Sequence, residues 1–380
     1  MSSDIKVTVD GVIYQIQSHG GISRIFSEIL PCLCDMDESL SITLLTSGRC
    51  RQALPVHRHI YHRSILPIDR LLRPSRLWTA IAPRAKEFIH RPWVGSGKGR
   101  IWHSTYYTMP FSWNGALVVT VPDMIYEKFP KYFKASKEFL KRKRRCVEQA
   151  DKVIAISEST KCDILKYFKI SEDKVSVTHL AASNLFKEAS QNDKNKLREK
   201  FGLNKPFIFY VGSRDTYKNF LMLLKTYFLW KKRRDFDLIC VGGASSWSND
   251  EIKVIRRANL NNSVKLFVSV KDEELRTFYS CAYAFVYPSL YEGFGIPLLE
   301  AMACSTPVVG SNTSSIPEVV GDAGLYFKPS SKEELLAVLD EVTNGTTLRE
   351  KLIRKGVNRS KKFTWEETAA RTYKIYKEIL

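Results

Sequence analysis

Apolar residues recur along this chain in two alternating rhythms. Short apolar runs predict strands, and stretches with apolar positions three or four residues apart predict helices. In the first half, strands are expected at 5–9, 41–45, 101–104, 117–121, 153–157 and 175–179. A helix is expected at 22–33, where Ile22, Ile25, Phe26, Ile29, Leu30 and Leu33 share one face. Others are expected at 77–89, 136–150 and 159–168. Residues 186–205 are polar and charged and read as a linker running into a short helix near 194–201. The rhythm then restarts. Strands at 207–211, 237–241, 264–268, 284–287, 308–309 and 325–327 alternate with helices at 219–232, 250–259, 272–281 and 298–304. Helices at 332–343, 346–361 and 365–379 close the chain.

Strands alternating with helices, twice over, predict an α/β protein of two doubly wound, Rossmann-like domains, 1–185 and 206–362. Such sheets bind ligands beyond the carboxyl ends of their strands. The expected site is therefore a cleft across which the two domains face each other.

Charge adds a partner class to this picture. The 380-residue chain is 44% hydrophobic, enough to build full cores and to exclude general disorder. It carries 59 Lys and Arg against 40 Asp and Glu, a net charge of +19. That excess favours an acidic partner: nucleotide phosphates, an anionic membrane face or nucleic acid. Segment 49–100 holds twelve of the cations against only Asp69 and Glu87, with Leu71, Leu72, Trp78, Phe88 and Trp93 among them. A second basic run, 141–145, reads most simply as a solvated helix face. A nucleic-acid binder would interleave aromatics with cations on a recognisable module, and no such module is present. The eight cysteines are scattered; a reduced, cytoplasmic setting is expected. No apolar run approaches the roughly 20 residues needed to span a bilayer. The first four residues lead into a strand without a secretory signal.

Candidate chemistry concentrates in the second half. In 289–307, SLYEGFGIPLLEAMACSTP, Glu292 and Glu300 flank a Gly-Phe-Gly-Ile-Pro loop that enters a helix. Pro297 suits a first helical turn, and Glu300 is expected in that turn too. Free N–H groups at such a helix start favour an anionic or hydroxyl-rich ligand. A buried strand–helix connection with glutamates at helix-dipole positions explains the same residues. In 212–219, GSRDTYKN, a glycine turn carries Arg214 and Lys218 to a helix mouth. That arrangement can receive a pyrophosphate, each charged hydrogen bond contributing about 1.5–3 kcal/mol. The spacing is neither a P-loop nor GxGxxG, and surface cations at a helix start are the plain alternative. Gly20 and Gly21 before the first helix can also admit a phosphate or sugar, although a tight turn accounts for them.

Residues 291–329, YEGFGIPLLEAMACSTPVVGSNTSSIPEVVGDAGLYFKP, closely resemble the signature of the family 4 glycosyltransferases, which have the GT-B fold. The matching features are the Glu-x7-Glu pair, Gly293, Gly295, Pro297, the Glu-Ala-Met-Ala run, Pro307, Pro317-Glu318 and Gly324. The resemblance extends through 19–22, 153–160 and 211–219, and so along nearly the whole chain. It implies a retaining, metal-independent transferase without a cofactor, of the polysaccharide or O-antigen type. Such an enzyme would move a hexose from a UDP- or GDP-sugar to a hydroxyl of a lipid-linked glycan acceptor.

By the same resemblance, Glu292 would hold donor-sugar hydroxyls. The backbone of Gly293, Phe294, Gly295 and Ile296 would surround the sugar and phosphates. Glu300 would bind the ribose, Arg214 and Lys218 would neutralise the diphosphate, and backbone near Val270 would meet the base. Gly20 and Gly21 would lie near phosphate and acceptor. Segment 363–380 would cross back to brace the first, acceptor-binding domain. Segment 49–100 would dock on an anionic leaflet, which would make the enzyme peripheral on the inner membrane face.

The chain departs from the family pattern in three places. Ser213 stands where the phosphate arginine usually follows the glycine, which displaces Arg214 by one and makes Lys218 the firmer phosphate contact. Val268 replaces a frequent glycine near the base. In Thr120-Val121-Pro122-Asp123-Met124, Pro122 replaces a histidine that commonly touches the donor sugar. Asp123 and His103 are the candidate substitutes on the acceptor side, and a structural role is the plain alternative for His103. Pro122 also keeps open a catalytically weak member acting as a scaffold. A nucleotide-sugar epimerase shares the architecture, but the Glu-x7-Glu signature with the Lys-Asn loop argues against it. Two-carboxylate glycoside hydrolysis has no use for Arg214 and Lys218.

Overall fold

In a computed structural model of the chain, the structure describes residues 5–17, 20–65, 97–110, 113–133, 137–214, 216–260 and 262–380. Two compact units emerge: Met1–Leu180 with Trp365–Leu380, and Ala181–Thr364.

Among the described residues, the first unit is built on seven parallel strands. They are β1 (Lys6–Asp10), β2 (Ser41–Ser47), β3 (Ile60–Ile65), β4 (Ile101–Ser104), β5 (Ala116–Val121), β6 (Lys152–Ala155) and β7 (Val175–Val177). Their order is β3-β2-β1-β4-β5-β6-β7. Its described helices before residue 181 are α1 (Val12–Ile16), α2 (Gly21–Met36), α3 (Ile125–Lys128), α4 (Lys137–Gln149) and α5 (Glu158–Tyr167). Helix α2 buries Ile25, Phe26, Ile29, Leu30 and Leu33, the face its apolar spacing predicts. Strand β3 was not expected, because only its end residues are buried and its centre reads as polar loop. The short helices α1 and α3 carry too few turns to show a period. The helix expected at 77–89 lies outside the described residues.

The second unit repeats the plan. Strands β8 (Phe207–Val211), β9 (Asp237–Val241), β10 (Val264–Phe267), β11 (Ala284–Tyr287), β12 (Val308–Ser311) and β13 (Gly324–Phe327) form a parallel sheet. The order is β10-β9-β8-β11-β12-β13. Helices α6 (Gln191–Phe201), α7 (Phe220–Leu229), α8 (Asn249–Arg257), α9 (Asp272–Cys281), α10 (Ile296–Ala303), α11 (Ile316–Val320), α12 (Lys332–Asn344) and α13 (Thr346–Ser360) accompany it. The central strands β9 and β11 are buried at every residue, as strands covered on both faces must be. One continuous core runs from Ile208 and Tyr210 through Phe220, Leu224 and Trp230 to Leu339.

Residues 186–205, read from polarity as a linker, are integral to this second unit. Ser190 caps α6 by accepting the Asp193 amide, and Leu197 on its inner face is buried. The last helix, α14 (Trp365–Glu378), belongs to the first unit. It packs along α2, burying Thr368, Ala369, Thr372 and Tyr376. Among the described residues no helix is long and apolar enough to cross a membrane.

Candidate functional site

In the second sheet, β8 lies between β9 and β11, so the connections leaving β8 and β11 run in opposite directions. That reversal opens a crevice at the carboxyl ends of these two strands. Two loops begin there, after Val211 and after Tyr287. They are tied to each other. Asn219, in the left-handed region at φ 56°, donates its amide to Pro288 O at 3.1 Å and to Pro329 O at 2.8 Å. The Leu290 amide donates to Tyr217 O at 2.7 Å. Gly295 caps α10 with φ 108°, and a Cβ there would meet Leu298 Cδ1 at 2.7 Å.

This tie brings Lys218 and Glu292 together. The Lys218 ammonium donates to both Glu292 carboxylate oxygens, at 2.8 and 3.0 Å, and reaches the Tyr287 hydroxyl at 3.4 Å. Both side chains are nearly buried. Burial works against the charged ammonium, but the Glu292 carboxylate and the flanking tyrosines outweigh it and hold the Lys218 pKa well above its ordinary value. The loop carrying Glu292 is clamped by serines. The Glu292 amide donates to Ser314 Oγ at 2.9 Å, and Ser315 Oγ donates to Glu292 O at 3.0 Å and Phe294 O at 2.8 Å. Sequence reasoning passed over this serine run, although its place just before Pro317-Glu318 in the signature was a usable signal.

Glu300 sits in the second turn of α10, because that helix begins at Ile296 rather than 298. Its carboxylate is buried and accepts the Tyr279 hydroxyl at 3.0 Å. Phe294 and Gly295 are buried in the loop, while Gly293 and Ile296 are partly exposed. Ser213 and Val270 are also partly exposed. Ser269, beside Val270, adopts φ 55°.

Arg214 departs from expectation. Its guanidinium is turned away to structural partners: Glu251 at 3.1 Å, and the carbonyls of Gly242, Ala244 and Ser246 at 3.1, 3.2 and 2.6 Å. It also lies over the Trp247 ring at 4.9 Å. With those donors engaged and the side chain 5% exposed, Arg214 fixes the loop after β9. The Ser248-x-x-Glu251 capping box, complete here, was the sequence sign that Glu251 had a structural task.

In the first unit, His103 has the surroundings of the structural alternative. It is fully buried, with Nδ1 2.5 Å from the Tyr376 hydroxyl and Nε2 2.8 Å from Thr120 Oγ1. Both ring nitrogens are occupied, and burial pushes its pKa down to about 3. It joins β4 and β5 to α14. Asp123 follows the buried Pro122 and is partly exposed, its carboxylate accepting the Ile125 amide at 3.1 Å. Gly20 and Gly21 are exposed at the start of α2, and a Cβ on Gly21 would touch nothing. Asp10, which the sequence did not mark, ends β1 in a buried cluster. Its carboxylate accepts the Thr105 amide at 2.9 Å and the hydroxyls of Thr105 and Thr108. Burial nonetheless raises its pKa. Among the described residues no group of three or more His, Cys, Asp or Glu is placed to hold a metal ion.

Comparison with known proteins agrees with this architecture. A family model described as "Glycosyl transferases group 1" matches residues 192–359. The O-antigen chain mannosyltransferase B of Escherichia coli is 30% identical over 286 residues, 74% of this chain and 74% of that protein. Sucrose-phosphate synthase from Thermosynechococcus elongatus superposes with a TM-score of 0.77 at 18% identity, covering 98% of each chain. Anabaena HepE, in complex with UDP and glucose, gives 0.74 at 18% identity, covering 98% of this chain and 99% of its own. At these identities the two structures show a shared fold.

Proposed function

The chain belongs to the group 1 glycosyl transferases, and from that premise we propose a retaining hexosyltransferase that extends a lipid-linked glycan. It is a GT-B enzyme that transfers a sugar from a nucleotide-sugar donor in polysaccharide biosynthesis. The finer reading is that the donor is a UDP- or GDP-hexose. The name of the Escherichia coli relative favours mannose as the sugar.

The observation that carries the reading is the Lys218–Glu292 pair at the crevice between β8 and β11. Cleavage of a glycosyl phosphate sends an electron pair to the diphosphate and leaves positive charge at the anomeric carbon. A cation must then face the phosphate while a carboxylate faces the sugar. Lys218 and Glu292 provide one of each within 3 Å, prearranged by the loops that hold them. In the proposed reaction the acceptor oxygen bonds to the anomeric carbon on the face the phosphate leaves. The acceptor proton passes to the departing phosphate oxygen. Glu300, steadied by Tyr279, holds the ribose. Gly293 to Ile296 surround the sugar, and Ser213 and Val270 border the phosphates and base. On the first unit, Gly20 and Gly21 are proposed to bind the donor near its phosphate, and Asp123 is the proposed acceptor-side contact.

Incubating the chain with a panel of UDP- and GDP-hexoses and a lipid-linked oligosaccharide tests this. Release of UDP or GDP with one donor, and a product whose anomeric configuration matches that donor by NMR, is expected. An inverted product would overturn retention, and no release with any donor would overturn transfer.

We also propose that the enzyme is cytoplasmic and docks on the inner membrane face through 49–100. The exposed Arg58, Tyr61 and Val56 belong to the described part of that segment. Each basic residue near an anionic surface contributes about 1 kcal/mol. Co-sedimentation with anionic but not neutral vesicles at low salt is expected, and equal recovery with both would refute docking.

A further inference from the structure

The amino ends of the second sheet carry a feature that sugar transfer does not use. A cavity of about 300 Å³ opens there. It lies beside Pro206 and Tyr283, the residues just before β8 and β11, and beside Cys281 at the end of α9. Among the described residues, three cations line it: Lys194, Arg198 and Arg349. No carboxylate is among its described lining residues. Lys194 and Arg198, with Gln191, fall on one face of α6, and Arg349 comes from the first turn of α13.

The two arginines are oriented by carbonyls rather than neutralised by carboxylates. Arg198 donates to Leu203 O at 3.1 Å and Cys281 O at 3.4 Å. Arg349 donates through Nε to Tyr283 O at 3.4 Å, with its guanidinium over the Tyr283 ring at 4.8 Å. Lys194 pairs at 2.7 Å with Glu188, which is 56% exposed and does not line the cavity. A guanidinium has five donor hydrogens and an ammonium three, so most donors of this set remain for a ligand. Two part-buried forks and an ammonium suit the several oxygens of a phosphate. The volume is at the lower end for small-molecule sites, about 300–1,000 Å³, and exceeds what the phosphate alone would fill.

We infer that this cavity binds a phosphate-bearing small molecule at a site separate from the donor crevice. Strand β8 has five residues, which at about 3.3 Å each puts roughly 16 Å between the cavity and the loop leading to Lys218. One ligand therefore cannot fill both with a single phosphate group. The site does not depend on the donor or acceptor proposed above.

Titration calorimetry of the full chain with inorganic phosphate, and separately with a hexose 6-phosphate, tests the inference. The titrations use the parent chain, and binding at the cavity is told from phosphate contact at the donor loop by its response to the cavity variants. Binding of one equivalent in about the millimolar range or tighter is expected. Adding Arg349→Gln or Arg198→Gln should weaken it by about tenfold or more, the loss of one charged hydrogen bond. Lys194→Gln, at the cavity rim, provides a further variant should circular dichroism show either arginine change to unfold the chain. Absence of binding by both probes, or binding that these substitutions leave unchanged, overturns the inference.

Discussion

Lys218 Nζ lies 2.8 and 3.0 Å from the two carboxylate oxygens of Glu292, a residue 74 positions further along the chain. The two side chains neutralise each other in a nearly buried crevice. Removal of either partner leaves an uncompensated charge there. Lys218→Met and Glu292→Gln are each expected to lower transfer by about 10²–10³-fold. Each should also reduce stability by up to about 3–5 kcal/mol. The double variant should be more stable than the sum of the two losses predicts, a coupling that denaturant unfolding of all four proteins would measure. Strict additivity would show that the pair does not interact in solution.

Arg214→Ala separates a scaffold role from a phosphate contact. Loss of its buried pair with Glu251 and its three carbonyl bonds should destabilise the second unit by about 3–5 kcal/mol. Urea unfolding reads this directly. A variant as stable as the parent but with a raised donor KM would return Arg214 to the diphosphate.

Gly295→Ala tests the entry to α10. The backbone at φ 108° and the 2.7 Å approach to Leu298 both oppose a side chain. A loss of about 1–3 kcal/mol is expected. Lower thermal stability together with weaker donor binding would follow, since the same turn shapes the loop from Gly293 to Ile296. An alanine variant unchanged in both would show that the loop can relax elsewhere.

His103 gives the first unit a pH dependence. The unfolded chain takes up a proton near the ordinary histidine value of 6.5, whereas the folded chain refuses it until about 3. The unfolded state therefore binds more protons between those values, and stability falls as pH drops through that window. The loss is up to about 1.4 kcal/mol for each pH unit. Unfolding midpoints of the parent and of His103→Gln, compared at pH 7, 6 and 5, should converge as pH falls. Parallel curves would mean that His103 takes up its proton in the fold as it does in the unfolded chain.

The alternation of apolar runs exposed both sheets because most strands are short, buried and bounded by polar turns. Strand β3 escaped because it lies at the sheet edge, where four of its six residues face solvent. Polarity suggested a linker at 186–205, yet α6 packs on the second unit through the buried Leu197 and through Phe201, whose ring lies 4.9 and 5.0 Å from those of Phe267 and Phe278. The candidate donor-site residues form a list in the sequence because glycines, proline and glutamates sit at fixed offsets along 291–329. Their partners were not. No local pattern joins Glu300 to Tyr279, or His103 to Tyr376 273 positions away.

The sequence by itself determined the repeated strand–helix plan, the signature loop and the positive charge. These depend on period, backbone conformation and composition, which are properties of neighbours along the chain. Only the tertiary structure decided which cation faces the crevice. Lys218 and Arg214 are four residues apart and carry the same charge. The fold turns one toward Glu292 and the other toward Glu251. That choice is made by which buried carboxylate lies within hydrogen-bond reach, because an unpaired charge in either place would lose its hydration without compensation.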